Sequence, residues 1–281
     1  MSTAQTAAQA MVGATQRLRA AGVADPARDA RILLAHAARI EASRVTLIAP
    51  EDLDPDIADR YEQLISLRAV RVPVSHLLGE REFYGRRFKV SSDVLDPRPE
   101  TETLIEAALA QPFDRVLDLG LGSGCILVTL LAERTSATGV GADLSEPACL
   151  QASANAVLHR VQDRAEITCS NWFSAIEGRY DLIVSNPPYI ALDEMAGLEA
   201  EVRDHEPEMA LTDGGDGLGA YRELAAGAPD YLLPGGRLLV EIGPTQGSAV
   251  AALFDAAGLS EIRIIPDLDG RDRVVSAQIP G

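Results

Sequence analysis

Arg115-Val116-Leu117-Asp118-Leu119-Gly120-Leu121-Gly122-Ser123-Gly124 runs directly into the apolar stretch Cys125-Ile126-Leu127-Val128-Thr129-Leu130-Leu131-Ala132. A short β-branched and apolar run followed by closely spaced glycines and a longer apolar run reads as a buried strand turning into a helix. Glycines at such a turn let a ligand approach the backbone and place it at the helix N-terminus, where free N–H groups point outward. A second strand is expected at Thr138-Gly139-Val140-Gly141-Ala142, ending on Asp143, about 20 residues on, where α/β folds carry an acid that binds ribose hydroxyls. The glycine spacing is Gly-x-Gly-x-Gly, not the Gly-x-Gly-x-x-Gly that wraps a dinucleotide pyrophosphate. A nucleoside ligand lacking a diphosphate suits it better.

The alternation continues outward from this unit. Ser145 caps a predicted helix from Glu146 to Leu158, and a third strand is expected near Glu166-Ile167-Thr168-Cys169. Asn171-Trp172-Phe173 follows, bearing the only Trp of the chain, which either flanks an aromatic ligand ring or fills the core. A fourth strand, Tyr180-Asp181-Leu182-Ile183-Val184, stops at Ser185-Asn186-Pro187-Pro188-Tyr189, because proline cannot donate to a sheet ladder. Read alone, this is more often a Pro-rich turn capping the strand, but here it has company. At the carboxyl edge of a parallel sheet, where ligands bind, Asn186 offers one acceptor oxygen and two donor hydrogens, and carbonyls beside proline lack a competing N–H.

The long segment from Ala191 to Gly219 is acidic and glycine-bearing and is expected to form a lid or one wall of a cleft. After it come a helix from Ala220, a strand from Arg237 to Ile242, a helix from Gln246 to Ala257, and an antiparallel pair, Ser260–Ile265 with Arg273–Ala277. The expected class is α/β, a doubly wound, mostly parallel sheet.

Upstream the pattern changes. Helices are expected from Ala4 to Ala20, after the Asp25-Pro26 cap, and from Ile57 to Val70 after Asp54-Pro55, making a small bundle without a titratable constellation. Glu82-Phe83-Tyr84 and Phe88-Lys89-Val90 around Gly85 suggest a hairpin. The expected division is a helical substrate-recognition domain at residues 1–72, a hairpin linker at 73–97 and a catalytic domain at 98–281.

Composition narrows the function. A net charge of −17 works against a polyphosphate partner, whose binding rests on Lys and Arg. Cys125, Cys149 and Cys169 are too scattered for a disulfide framework or zinc cluster and read as reduced core residues; the four His lack metal-ligand spacing, so no metal is expected. No apolar run approaches the length of a membrane span, and Met1-Ser2-Thr3-Ala4-Gln5 lacks a basic leader region, so a cytoplasmic location is expected.

Taken together, these residues resemble the class I S-adenosylmethionine-dependent methyltransferases, with a Rossmann-like fold, and more narrowly the release-factor glutamine methyltransferases, the HemK or PrmC family. The resemblance runs through Asp29-Ala30-Arg31, Leu78-Gly79-Glu80-Arg81-Glu82-Phe83-Tyr84-Gly85, Pro97-Arg98-Pro99-Glu100-Thr101-Glu102, Asp118-Leu119-Gly120, Ser185 to Tyr189, Glu206-Pro207 and Gly270-Arg271-Asp272-Arg273. It implies that Gly120, Leu121, Gly122, Ser123 and Gly124 line S-adenosylmethionine, that Asp143 holds its ribose, and that Trp172 lies beside it. It further implies that Asn186 touches cofactor and substrate, with Pro187, Pro188 and Tyr189 completing the substrate site, and that the substrate is the Gln of a release factor's Gly-Gly-Gln tip. Two positions depart from the family: Leu121 stands where a small or hydroxylated residue is usual, and Asp96 where an apolar one is. Rival readings are a glutamine methyltransferase of a ribosomal protein, an adenine methyltransferase of nucleic acid, an NAD-dependent oxidoreductase and a non-catalytic cofactor-binding adaptor.

Overall fold

The computed structural model describes residues 5–281; Ala4, expected to begin the first helix, lies outside the described residues, as does the stretch Met1–Ala4 of the leader reading. The chain forms two compact units. One comprises the residues up to Gly79 together with Glu199–His205; the other comprises Glu80–Leu198 and Glu206–Gly281.

In the first unit, α1 (Ala7–Ala20) begins at a reciprocal cap between Thr6 and Gln9, and α2 (Pro26–Ala38) begins where the Asp25 side chain accepts from Arg28 N. Shorter α3 (Val45–Ile48) precedes α4 (Pro55–Ala69), which Asp54 caps, and α5 (Val74–Leu78) ends on Gly79 in the left-handed conformation. Leu18, Leu33, Leu34 and Ile65 fill the interior. The bundle also holds ionic groups that the sequence reading missed. Arg68, on α4, is buried and bonds Asp29 of α2 and Glu201, each at 2.8 Å; Arg71 also bonds Glu201. Glu201 lies 133 residues from Arg68, on α9 (Ala200–His205), so no local pattern announces the cluster.

The second unit opens with the expected hairpin. Strands β1 (Glu80–Phe83) and β2 (Arg86–Lys89) pair through Phe83 and Arg86, and Tyr84 and Gly85 both take positive φ, as a two-residue turn matching strand twist requires. After α6 (Glu102–Leu109) the alternation runs β3 (Arg115–Leu119), α7 (Cys125–Glu133), β4 (Thr138–Asp143), α8 (Glu146–Leu158), β5 (Ala165–Cys169), β6 (Tyr180–Ser185), α10 (Gly219–Tyr231), β7 (Leu232–Glu241), α11 (Gly247–Ala256), β8 (Ser260–Pro266) and β9 (Asp272–Gln278). Among the described residues the large sheet has seven strands in the order β5-β4-β3-β6-β7-β9-β8, with β5 through β7 parallel and β9 antiparallel to both neighbours. The order reverses direction between β3 and β6. Their C-terminal ends therefore open a crevice, which is where ligands bind in such sheets.

Side-chain alternation divides the core. Val116, Leu182 and Val184 join one cluster with α7; Leu117, Leu119 and Ile183 join the other with α10 and α11. Two expectations are corrected. Strand β7 begins at Leu232 and not at Arg237, with a register irregularity against β6 and Gly235 in the left-handed region, so the Pro234-Gly235-Gly236 break is absorbed inside the strand. Cys169 is exposed, unlike buried Cys125 and Cys149, because β5 is the sheet's edge strand.

Candidate active site

A cavity of about 430 Å3 opens over the carboxyl ends of β3, β4 and β6. Gly120, Leu121, Gly122 and Ser123 form its floor, Asp143 stands at the end of β4, and Trp172, Asn186 and Pro188 contribute from the following loops. Pro207, Met209, Ala210, Thr212 and Asp213 line it too, so the later half of the long acidic segment is one wall.

The glycine turn is held at positive φ, with 75° at Gly120, 53° at Gly122 and 78° at Gly124. The three serve different ends. A Cβ at Gly122 would meet nothing within 4 Å, so its backbone faces open space. At Gly124 a Cβ would lie 2.9 Å from the Ala152 Cβ, and Gly124 is not on the cavity wall; its smallness lets α7 pack against α8. Asp143 fixes the turn, accepting from Gly122 N at 2.8 Å with one oxygen and from Ser145 N at 2.9 Å with the other. Each oxygen keeps a lone pair for a further donor.

The two unusual positions have structural accounts. Leu121 is buried and its methyls occupy the space above Gly141, where a Cβ would come within 2.6 Å of them. Glycine in β4 makes room for the larger residue. Asp96 is 3% exposed and lines the cavity, so it does not face bulk water.

Asn186 carries the most informative geometry. Its Nδ2 donates to Thr101 Oγ1 at 3.3 Å, whereas its Oδ1 is buried with no hydrogen-bond partner among the described residues. A buried amide oxygen without a donor loses on the order of 1–3 kcal/mol relative to a paired one. Pro187 and Tyr189 are brought near but not onto the cavity wall. Instead the Tyr189 hydroxyl reaches Glu241 Oε1 at 3.4 Å, and burial raises its pKa well above the ordinary phenol range.

Several groups escaped the sequence reading. Glu206, its side chain 1% exposed, receives both bonds of Arg98 Nη2 at 2.6 and 2.7 Å; burial nevertheless raises its pKa to about 7. Glu241, wholly buried at the end of β7, is raised to about 7 by desolvation, against the lowering influence of the Thr101 hydroxyl and Arg273. Asp118 is raised to about 8, again by burial. The signal for Glu241 was a lone acid closing the apolar run Leu238-Leu239-Val240, and Thr101 and Glu206 lay unassigned inside motifs already quoted. Among the described residues no group of His, Cys, Asp and Glu is arranged to hold a metal, and no helix is long and apolar enough to cross a membrane.

A parallel sheet with a glycine turn, an acid at the next strand's end and an amide at the fourth defines a nucleoside-cofactor transferase of the methyltransferase fold. Solved structures agree on the fold: a methyltransferase from Pyrococcus furiosus superposes with a TM-score of 0.55 at 15% identity, covering 80% of this chain and all of that one. Residues 9–79 match the family model described as PrmC N-terminal domain, and residues 90–216 the model described as methyltransferase small domain. Among its relatives, the release factor glutamine methyltransferase of Cereibacter sphaeroides is 58% identical over 98% of this chain and 99% of its own length. That of Rhodospirillum rubrum is 44% identical over 93% and 82%. The chain belongs to the release factor glutamine methyltransferase family.

Proposed function

We propose that this protein transfers a methyl group from S-adenosylmethionine to the side-chain amide nitrogen of the Gln in the Gly-Gly-Gln tip of peptide chain release factors. The observation that carries the assignment is Asn186, whose buried, unpartnered Oδ1 stands beside a cavity floored by a glycine turn. Family membership supplies the substrate class.

The residues present suit the cofactor. Gly122 leaves its backbone open to the cavity, Asp143 retains acceptor capacity for ribose hydroxyls, and Trp172 offers apolar surface for the base. Among the described residues, Asp93, Asp96, Asp143, Asp213 and Glu223 line the cavity with Arg98 as the one basic residue, an acidic surround that favours a cationic ligand. When bound, S-adenosylmethionine supplies a methyl group already activated on a sulfonium.

The remaining task falls to the protein: to set a poorly nucleophilic amide nitrogen in line with that methyl at near-attack distance. With the cofactor bound, Asn186 Oδ1 would accept one substrate N–H, orienting the amide and favouring charge build-up on its nitrogen. Pro187, expected to complete the substrate site, is not on the cavity wall, whereas Pro188 is, and the Tyr189 hydroxyl reaches Glu241; the acceptor role is assigned to Asn186.

Incubation with methyl-labelled cofactor and, separately, release factor, ribosomal protein and nucleic acid tests the substrate. Label on the Gln of the Gly-Gly-Gln tip is expected; label on either other substrate and none on release factor would replace this reading. Asn186→Ala is expected to slow single-turnover transfer about 10²–10³-fold, the usual loss for a preorganised hydrogen bond, while cofactor affinity changes little. A wild-type rate would reduce Asn186 to a strand cap.

A further inference from the structure

Two of the three cysteines meet behind the cavity. Cys149 Sγ on α8 and Cys169 Sγ at the end of β5 lie 3.5 Å apart, whereas Cys125 sits on a different element, α7. A disulfide needs about 2.05 Å between its sulfurs. Closing the gap takes a turn of each side chain and a small approach of α8 to β5. The two thiols have unlike surroundings. Cys169 is exposed on the edge strand, while Cys149 is buried and its single proton faces two carbonyls, Thr168 O at 3.5 Å and Asp143 O at 3.7 Å. Burial pushes the Cys149 thiol up to about 12, so it stays protonated at neutral pH and an oxidant from solvent meets Cys169 first. An accessible thiol with a second thiol in contact behind it has the form of a redox-responsive pair.

We propose that Cys149 and Cys169 are a peroxide-reactive dithiol site that closes to an intramolecular disulfide and thereby lowers the affinity of the adjoining cavity for its cofactor. Only the identity of the cavity's ligand, S-adenosylmethionine, is taken from the methyl-transfer reading. With hydrogen peroxide as the oxidant, Cys169 Sγ, as thiolate, attacks one peroxide oxygen. The O–O bond breaks, the other oxygen leaves and takes up a proton as water, and Cys169 becomes a sulfenic acid. Cys149 Sγ then attacks that sulfur: the S–S bond forms, the S–O bond breaks, and the hydroxyl leaves as water with the Cys149 proton. The two thiols are oxidised to one disulfide and the peroxide is reduced to water; a dithiol reductant reverses the change by exchange.

The pair adjoins both sides of the assigned adenosine site. Cys169 is the cross-strand partner of Asp143 in the β4–β5 register, and Ser170 N donates to Asp143 O at 2.9 Å. Ser170 Oγ donates to Trp172 O at 2.8 Å, in a turn that holds Trp172 at a φ of 50°, which a bulky residue adopts only under constraint. On the helix side Ala148 directly precedes Cys149, and Ala148, Asp143, Ser170 and Trp172 all line the cavity. Drawing the sulfurs together therefore pulls at once on the assigned ribose acceptor and on the turn that carries the assigned base-flanking ring. It also takes the Cys149 proton from the Asp143 and Thr168 carbonyls.

The test uses the full chain, hydrogen peroxide and S-adenosylmethionine. After brief exposure to peroxide and alkylation of the remaining thiols under denaturing conditions, peptide mass spectrometry should find Cys149 linked to Cys169 within one chain and Cys125 alkylated. Calorimetry should show cofactor affinity about tenfold weaker after oxidation, the equivalent of one lost hydrogen bond, and a dithiol reductant should restore it. Cys169→Ser, a change at an exposed position, should bind cofactor within about twofold of reduced wild type, before and after peroxide alike. In Cys149→Ala, Cys169 should stop at the sulfenic acid, captured by a carbon nucleophile such as dimedone, and affinity should not change on oxidation. Absence of the linked peptide, linkage only between chains, a linked pair with unchanged affinity, or an equal loss of affinity in oxidised Cys149→Ala would overturn the proposal. If the reduced protein does not bind S-adenosylmethionine, the cofactor assignment fails and the proposal falls with it; a missing linkage in protein that binds cofactor normally sinks the dithiol site alone.

Discussion

Asp118 is completely enclosed at the end of β3, with Oδ2 accepting from Leu127 N at 3.1 Å and Oδ1 without a hydrogen-bond partner among the described residues. It ties the first turn of α7 to the strand and so helps shape the glycine floor. Burial raises its pKa to about 8, so at neutral pH the folded protein holds a proton there that the unfolded chain releases. Linkage then fixes the sign: stability contributed by the neutral carboxyl declines as pH rises from about 4, where an unfolded Asp titrates, toward the folded value. Asp118→Asn cannot titrate, and the difference in unfolding free energy between variant and wild type, from urea titrations at pH 5 and pH 8, should shift in favour of the variant at the higher pH. A constant difference would place the charge elsewhere. Asp143 accepts from two backbone N–H groups and stands at the cavity. Asp143→Ala removes the clamp on the glycine turn together with the assigned ribose acceptor and should weaken cofactor binding by about 1–3 kcal/mol, read by calorimetry. Unchanged affinity would remove Asp143 from the site.

Elements joined by distant residues behave differently from those read out of local pattern. The buried ionic cluster of Arg68, Asp29 and Glu201 ties α4 to α2 and to α9. Truncating Arg68 leaves buried Asp29 without its cation and Glu201 with Arg71 alone, so Arg68→Ala should destabilise the helical unit by about 3–5 kcal/mol. Hydrogen exchange should accelerate together in α2, α4 and Glu199–His205; exchange confined to α4 would show that the cluster does not bind these elements. The strands, the caps at Asp25, Asp54 and Ser145, and the glycine turn were legible because each is specified within a few residues by periodicity, capping or φ. The seven-strand order was not, since β3 pairs with β6 across two intervening strands of the chain and the last strand, β9, inserts between β7 and β8. Gly120, Gly122, Asp143, Trp172 and Asn186 were readable as cavity residues because strand ends announce them. The division of labour between Gly122 and Gly124, and the removal of Tyr189 to Glu241, depend on packing across elements, which spacing does not encode.

At the scale of the molecule, the groups assigned to the cofactor all belong to the second unit, whereas the helical unit has a core and ionic cluster of its own. We assign the helical unit to recognition of the protein substrate on that ground. The chain does not divide cleanly at Gly79, because Glu199–His205 belongs with the helices while its flanks belong with the sheet. A truncated protein of residues 80–281 would keep that segment but strip Glu201 of Arg68 and Arg71, and would leave the His205 ring without the Val70 carbonyl. Loss of activity after truncation therefore has two sources, and a full-length Glu201→Ala control tells them apart. Cofactor affinity of the truncated protein should remain within about threefold of wild type, while kcat/KM on an intact release factor should fall by at least ~10-fold, since binding energy from parts of a substrate remote from the reacting atom is what a recognition unit adds. Glu201→Ala should fall by less. If it falls as far as the truncation, order in Glu199–His205 explains the effect and the helices have no separate part in recognition; if the truncated protein works on intact release factor as well as the full chain, the assignment of the helical unit is wrong.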